Sequence, residues 1–170
     1  MDSILCRRSV RKFDLEKKLE FNELKELCKY AEAAPSAKNQ RSREYIIVDD
    51  KEIIEQLSLV ARGTMLLSEC NSLIVVVGKN PNTLERKEMQ PQDLAAATEN
   101  ILLAATDRGI GSCWCGIYPM ADRMLKAKEI LKIEDGKFIF SIVALGYPVN
   151  EESFYDKEKF SDDLVYHNRG

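Results

Sequence analysis

The chain has 170 residues, of which 45% are apolar and 31% charged, with five prolines and eight glycines. That length suits one domain spanning residues 1–170, able to bury roughly 70% of its unfolded-chain surface, and the composition excludes disordered, collagenous and membrane-spanning chains. The 25 basic residues are outnumbered by 28 acidic ones, giving a net charge of −3; no general cationic field serves nucleic acid or anionic lipid, and any anion must be held locally.

Residues 21–34 place Phe21, Leu24, Leu27, Cys28 and Ala31 on one helical stripe, which Pro35 ends. Residues 44–48 are β-prone. Asp49 and Asp50 can then cap a helix with apolar positions Ile53, Ile54, Leu57, Val60 and Ala61. The branched apolar run 73–77 predicts a central strand covered on both faces, and it is too short to cross a membrane. Asp93 precedes an alanine- and leucine-rich helix over 94–108, with Gly109 placed for a left-handed C-terminal cap. Residues 112–117 can be extended, Pro119 can open a helix through Leu131, and 138–145 form the last strong strand. The charged tail from residue 150 carries isolated apolar anchors, Phe154, Tyr155, Phe160, Leu164, Val165 and Tyr166, too few for a core of their own. No repeat or linker divides the chain. The alternation predicts a helix-covered sheet, parallel or mixed.

The five cysteines are odd in number and scattered, which fits reduced thiols in a cytoplasmic protein, and the first residues form neither a signal nor a transit peptide. Cys113 and Cys115 share a face if their segment is extended, which leaves a redox role open beside that of inert small side chains. Zinc needs about four ligands and His167 is the sole histidine, so no metal is expected.

Three constellations could carry chemistry. Arg7, Arg8, Ser9, Arg11 and Lys12 concentrate donors in an otherwise acidic chain; guanidinium forks with a hydroxyl suit a phosphate monoester, while a solvated basic turn is the plainer alternative. Pro35, Ser36, Ala37, Lys38, Asn39 and Gln40 form a small polar loop between helix and strand, able to face a planar heteroaromatic edge or simply water. Gly109, Gly111 and Gly116 let backbone approach a ligand closely, but they follow a helix rather than open one and so are not a dinucleotide fingerprint. There is no nucleophile elbow and no legible pair of carboxylates, so no catalytic side chain is assigned, and any chemistry would belong to a cofactor.

In this order the segments resemble the FMN-dependent nitroreductase family. Arg7-Arg8-Ser9-Val10-Arg11-Lys12-Phe13 is similar to its flavin-phosphate motif and Ala34-Pro35-Ser36-Ala37-Lys38-Asn39 to its Pro-Ser-x-x-Asn loop. Asp93 with residues 100–105, the turn Gly109-Ile110-Gly111-Ser112-Cys113-Trp114, and Ala144-Leu145-Gly146-Tyr147-Pro148 resemble the central helix, its glycine turn and the last core strand. The resemblance implies an α+β fold, a three-layer α/β/α sandwich with a mixed, mainly antiparallel sheet, built as an intertwined homodimer with FMN in the seam.

Carried over by position, Arg7, Arg8 and Ser9 would meet the phosphate and ribityl chain, and Arg11 the phosphate or the flavin N1/O2 edge. Pro35, Ser36, Ala37 and Asn39 would line the flavin from the partner subunit. Ser112, Cys113, Trp114 and Cys115 would lie along the ring mostly through backbone groups, and Arg169 would return to the phosphate. Where the family reads Gln-Pro-Trp this chain has Arg41-Ser42-Arg43, leaving either Gln40 or Arg41 as the flavin-facing residue. The implied activity is ping-pong transfer of hydride from NADH or NADPH through flavin N5 to a small-molecule acceptor such as a nitroaromatic or quinone. An FMN carrier or sensor with little turnover is the alternative, and donor preference and acceptor stay open.

Overall fold

The computed structural model describes residues 2–150, 153–156 and 160–168. Helices α1 (Ser3–Cys6) and α2 (Phe21–Glu32) precede strand β1 (Arg43–Val48) and helix α3 (Lys51–Ser58). Strand β2 (Ser72–Gly78), helix α4 (Gln90–Asp107), strand β3 (Gly111–Gly116), helix α5 (Ala121–Leu131) and strand β4 (Phe138–Gly146) follow. The sheet order is β1-β2-β4-β3 and every pairing between these strands is antiparallel. The parallel component of the mixed sheet is a single bridge, Ser9 to Ser112.

β2 is central and buried along its whole length, as its unbroken run of branched residues requires. Leu73, Val75 and Val77 pack with Ile54, Leu57, Leu67 and Ala127 from the layer of α3 and α5. Ile74 and Val76 face the other way, onto Leu24, Leu27 and Ala31 of α2 and Leu94, Ala97 and Ile101 of α4. These are the three layers that the resemblance implied. In β4 the register slips where Val76 meets Ser141 and Val77 meets Ile139. The bulge turns both Phe140 and Ser141 toward α4, where the Ser141 hydroxyl lies 3.0 Å from that of Thr98.

Three boundaries differ from the sequence reading. α4 begins at Gln90, so Asp93 sits within its first turn instead of preceding it. α3 ends at Ser58, and residues 62–69 form a 3₁₀ turn that sends Leu67 into the core. Thr64 explains that turn: its hydroxyl accepts the Ala61 N–H and donates toward Ser58 and Ala61 carbonyls, a local alternative to continued helix. The helix expected to open at Pro119 starts at Ala121.

Two glycines place β3 against its neighbours. Gly109, at φ +68, takes the left-handed cap position after α4 and reverses the chain, with the Ile110 N–H returning to the Ala105 carbonyl. A Cβ on Gly111 would lie 2.9 Å from a Val10 methyl, so the bare backbone lets the N-terminal segment lie along β3. The Val10 N–H donates to the Ser112 carbonyl at 2.9 Å. No helix among the described residues is long and apolar enough to cross a membrane.

Candidate functional site

The contact of residues 9 and 10 with β3 brings the arginine run beside Ser112. Arg8 is half-buried; its Nη1 donates to the Leu5 and Arg7 carbonyls and its guanidinium lies 4.6 Å from the centre of the Tyr155 ring. Its Nε and Nη2 are buried with no hydrogen-bond partner among the described residues, and so is the Ser112 hydroxyl. Orphaned donors of this kind are rare in folded proteins and call for an acceptor. Arg7 pairs with Glu99 of α4 at 3.1 Å, a half-exposed contact worth at most about 1 kcal/mol. Arg11 is exposed, and its Nη1 donates to the Ser9 carbonyl at 3.2 Å, its hydrogen bond among the described residues. The orphaned Arg8 donors, with Arg7, Ser9 and Arg11 of the same segment and the Ser112 hydroxyl of the strand it lies along, have the chemistry to meet an anionic acceptor such as a phosphate. Arg169 lies outside the described residues.

The polar loop is built differently from a simple solvated turn. Asp93, in the first turn of α4, accepts from the Ala37 N–H at 2.9 Å, from Gln40 Nε2 at 2.9 Å and from the Ser42 hydroxyl at 3.0 Å. Gln40 also exchanges two 3.1 Å hydrogen bonds with the backbone of Arg86, tying the loop to the connection before α4. Its amide is spent on these contacts. Ser36 accepts the Arg41 N–H through its hydroxyl oxygen, and Arg41, with Lys38 and Asn39, is exposed with positive φ. Of the two residues left open by the sequence, Gln40 is committed to these contacts, while Arg41 is exposed, its Nε donating to Asn39 Oδ1 at 3.5 Å.

Arg43 was missed by sequence reasoning. It is 3% exposed, and its two terminal nitrogens donate to the carbonyls of Glu32, Ala34 and Pro35, closing the end of α2. Its ion pair with Glu32 spans 3.6 Å. A basic residue opening a strand gives no sequence signal that it will fold back eleven residues to serve as a helix cap.

Along β3 the side chains alternate. Ser112 and Trp114 face the α2/α4 layer, with the Trp114 ring 5.9 Å from Phe140, while Cys113 and Cys115 point into the α3/α5 layer and are buried. A ligand on the α4 side could meet these two cysteines only through backbone groups. The hydrogen bond from Cys115 holds the Cys113 thiol down, with help from the charges of Arg11 and Arg7, and sharing that proton together with burial pushes Cys115 up.

Burial also pushes the nearby Cys70 thiol up from 9.0 to about 11. The neutral thiol is therefore favoured in the fold, and its contribution is complete below pH 9 and lost as pH rises toward 11. We expect stability to decline by about 3 kcal/mol from this group across that window. Cys70→Ala should flatten the decline measured by denaturant titration at each pH; an equally steep loss in the variant would exclude the thiol as its source.

These features define an α+β protein with buried, unpartnered donors beside its arginine-rich N-terminal segment and a carboxylate-clamped loop at the start of its long helix. The nitroreductase family model matches residues 4–69 and 66–147, and the chain belongs to that family. It is 36% identical over 164 residues to an Archaeoglobus fulgidus protein provisionally named NADH dehydrogenase/NAD(P)H nitroreductase, covering 96% of this chain and 94% of the relative. A Clostridium acetobutylicum crystal structure, provisionally named NADH oxidase, superposes with TM-score 0.94 at 32% identity, covering 99% of this chain and 100% of the other. An FMN-dependent nitroreductase from Clostridium difficile gives TM-score 0.89 at 27% identity, with 99% of each chain covered.

Proposed function

We infer that this chain is an NAD(P)H-dependent oxidoreductase that uses FMN and works as a homodimer. The buried, unpartnered Arg8 nitrogens and Ser112 hydroxyl carry the reading, since they wait beside Arg7, Ser9 and Arg11 for an anionic acceptor. Bound FMN would supply the redox chemistry, a ping-pong exchange of reducing equivalents between NADH or NADPH and an acceptor such as a quinone or nitroaromatic. The chain's own residues bind and orient. Arg7, Arg8 and Ser9 hold the phosphate, Arg11 places positive charge at the N1/O2 edge, and Trp114 with the backbone of residues 112–115 forms a wall for the ring. Pro35, Ser36, Ala37 and Asn39 supply the opposite wall from the partner subunit.

The geometry of α4 supports two half-sites per chain. Asp93, which holds the polar loop, and Glu99, which meets Arg7, are separated by about 9 Å of helix rise and by about 120° around its axis. The loop and the arginines of one chain thus leave the same helix in different directions. A second copy would also cover the apolar side chains of Ile4, Leu5, Phe160, Leu164, Val165 and Tyr166, which are exposed by 52–72% in the single chain.

Purified protein is expected to show the visible flavin band, to bleach within seconds of anaerobic NADH or NADPH addition and to recolour with a quinone. A yellow protein that bleaches only over hours would favour the carrier or sensor reading. Protein that stays colourless after incubation with FMN would remove the cofactor assignment.

A further inference from the structure

Arg43 and Asp93 are the buried charged residues among the described residues, 3% and 6% exposed. A carboxylate removed from water costs several kcal/mol unless it is paired or fully hydrogen-bonded. No cation lies within ion-pair distance of Asp93 among the described residues. Its oxygens are met by three neutral donors, Ala37 N–H, Gln40 Nε2 and Ser42 Oγ, all from one loop. The first turn of α4 adds its dipole. Gln90, one turn earlier, donates from Nε2 to the Ser42 and Lys79 carbonyls, so the start of α4 clamps both ends of the connection. The loop so held contains three non-glycine residues in the left-handed region, Lys38 at φ +53, Asn39 at +51 and Arg41 at +45. A free loop would relax out of these conformations, which cost energy and persist only where the surroundings enforce them.

We propose that Asp93 is a positioning residue for ligand binding: it holds residues 36–41 in their ligand-ready shape and so sets affinity for the flavin ring without touching the flavin. This rests on the reading that the loop lines the ring while Arg7 and Arg8 hold the phosphate. The consequence is a division of labour. A defect at Asp93 weakens FMN and riboflavin equally, because riboflavin has the ring and no phosphate, whereas a defect at Arg7 or Arg8 weakens FMN alone.

The test compares Asp93→Asn, Ser42→Ala and the core-weakening control Ile54→Val on the far side of the sheet. Flavin dissociation constants are measured by fluorescence quenching and backbone amide exchange is followed in the flavin-free protein. Asp93→Asn is expected to lower affinity for FMN and for riboflavin by the same ten- to hundredfold factor, consistent with loss of charge-assisted hydrogen bonds. Ser42→Ala, which removes one of the three donors, should lose several-fold, and Ile54→Val should bind like the unaltered chain. Amide exchange in Asp93→Asn should accelerate at Ala37 and its loop neighbours and not in β2 or β4. Riboflavin affinity within twofold of the unaltered chain, or an equal loss in Ile54→Val, overturns the proposal. If the unaltered chain binds neither flavin, the functional reading fails, and the exchange result still decides the clamp: acceleration confined to the loop supports it, and uniform acceleration overturns it.

Discussion

Arg43→Ala is expected to lower folding stability by about 3 kcal/mol. The guanidinium is 3% exposed and bonds the Glu32, Ala34 and Pro35 carbonyls, all at or just beyond the C-terminus of α2, where the helix has no internal donors left. Removing it orphans three acceptors and leaves the half-exposed Glu32 carboxylate without its cation. Each unsatisfied buried group costs about 1–3 kcal/mol, and water entering the vacated volume recovers part of the total. Arg43→Lys should recover little, because one ammonium cannot reproduce a planar fork spread over three carbonyls. Urea denaturation decides it. A loss below about 1 kcal/mol in Arg43→Ala would show that solvent replaces the cap, and that Arg43 matters less than its burial implies.

The second large effect concerns flavin binding. Arg7→Ala and Arg11→Ala should each weaken FMN by roughly ten- to a hundredfold, the loss expected for one charge-assisted contact of about 1.5–3 kcal/mol, to the phosphate for Arg7 and to the ring edge for Arg11. Neither residue is structurally expensive to remove: Arg7 gives up one half-exposed pair with Glu99, and Arg11 one contact to the Ser9 carbonyl. Folding stability should therefore change by less than about 1 kcal/mol while FMN affinity falls, and riboflavin affinity should stay the same in Arg7→Ala. Arg11→Ala should in addition slow bleaching by NADH, because its charge is assigned to the N1/O2 edge. FMN affinity and reduction rate both equal to those of the unaltered chain would remove Arg11 from the site. Together with the Asp93 variants, these substitutions separate the phosphate end of the ligand from its ring end.

Much of the architecture was legible in local patterns. The apolar stripe of residues 21–34, the branched run at 73–77 and the alanine-rich stretch ending at Gly109 fell where α2, β2 and α4 form. Side-chain period and capping chemistry are properties of neighbouring residues, and they survive folding. The bulge that turns both Phe140 and Ser141 toward α4, and the 3₁₀ turn stapled by Thr64, had no comparable signature. They depend on what packs opposite.

The same boundary runs through the candidate site. Amino-acid order by itself determined the arginine-rich opening, the polar loop, the glycine turn and the family they resemble, because those motifs are contiguous and their chemistry is carried by residue type. Tertiary structure alone decided which side chains remain available. It committed Gln40 to Asp93 and Arg86, turned Arg41 outward, sent Cys113 and Cys115 to the face opposite Trp114, and used Arg43 as a cap for a helix eleven residues upstream. The physical reason is that hydrogen-bond satisfaction is settled between segments distant in sequence: Asp93 meets Ala37 across 56 positions, and no local pattern records which donors a buried carboxylate will claim.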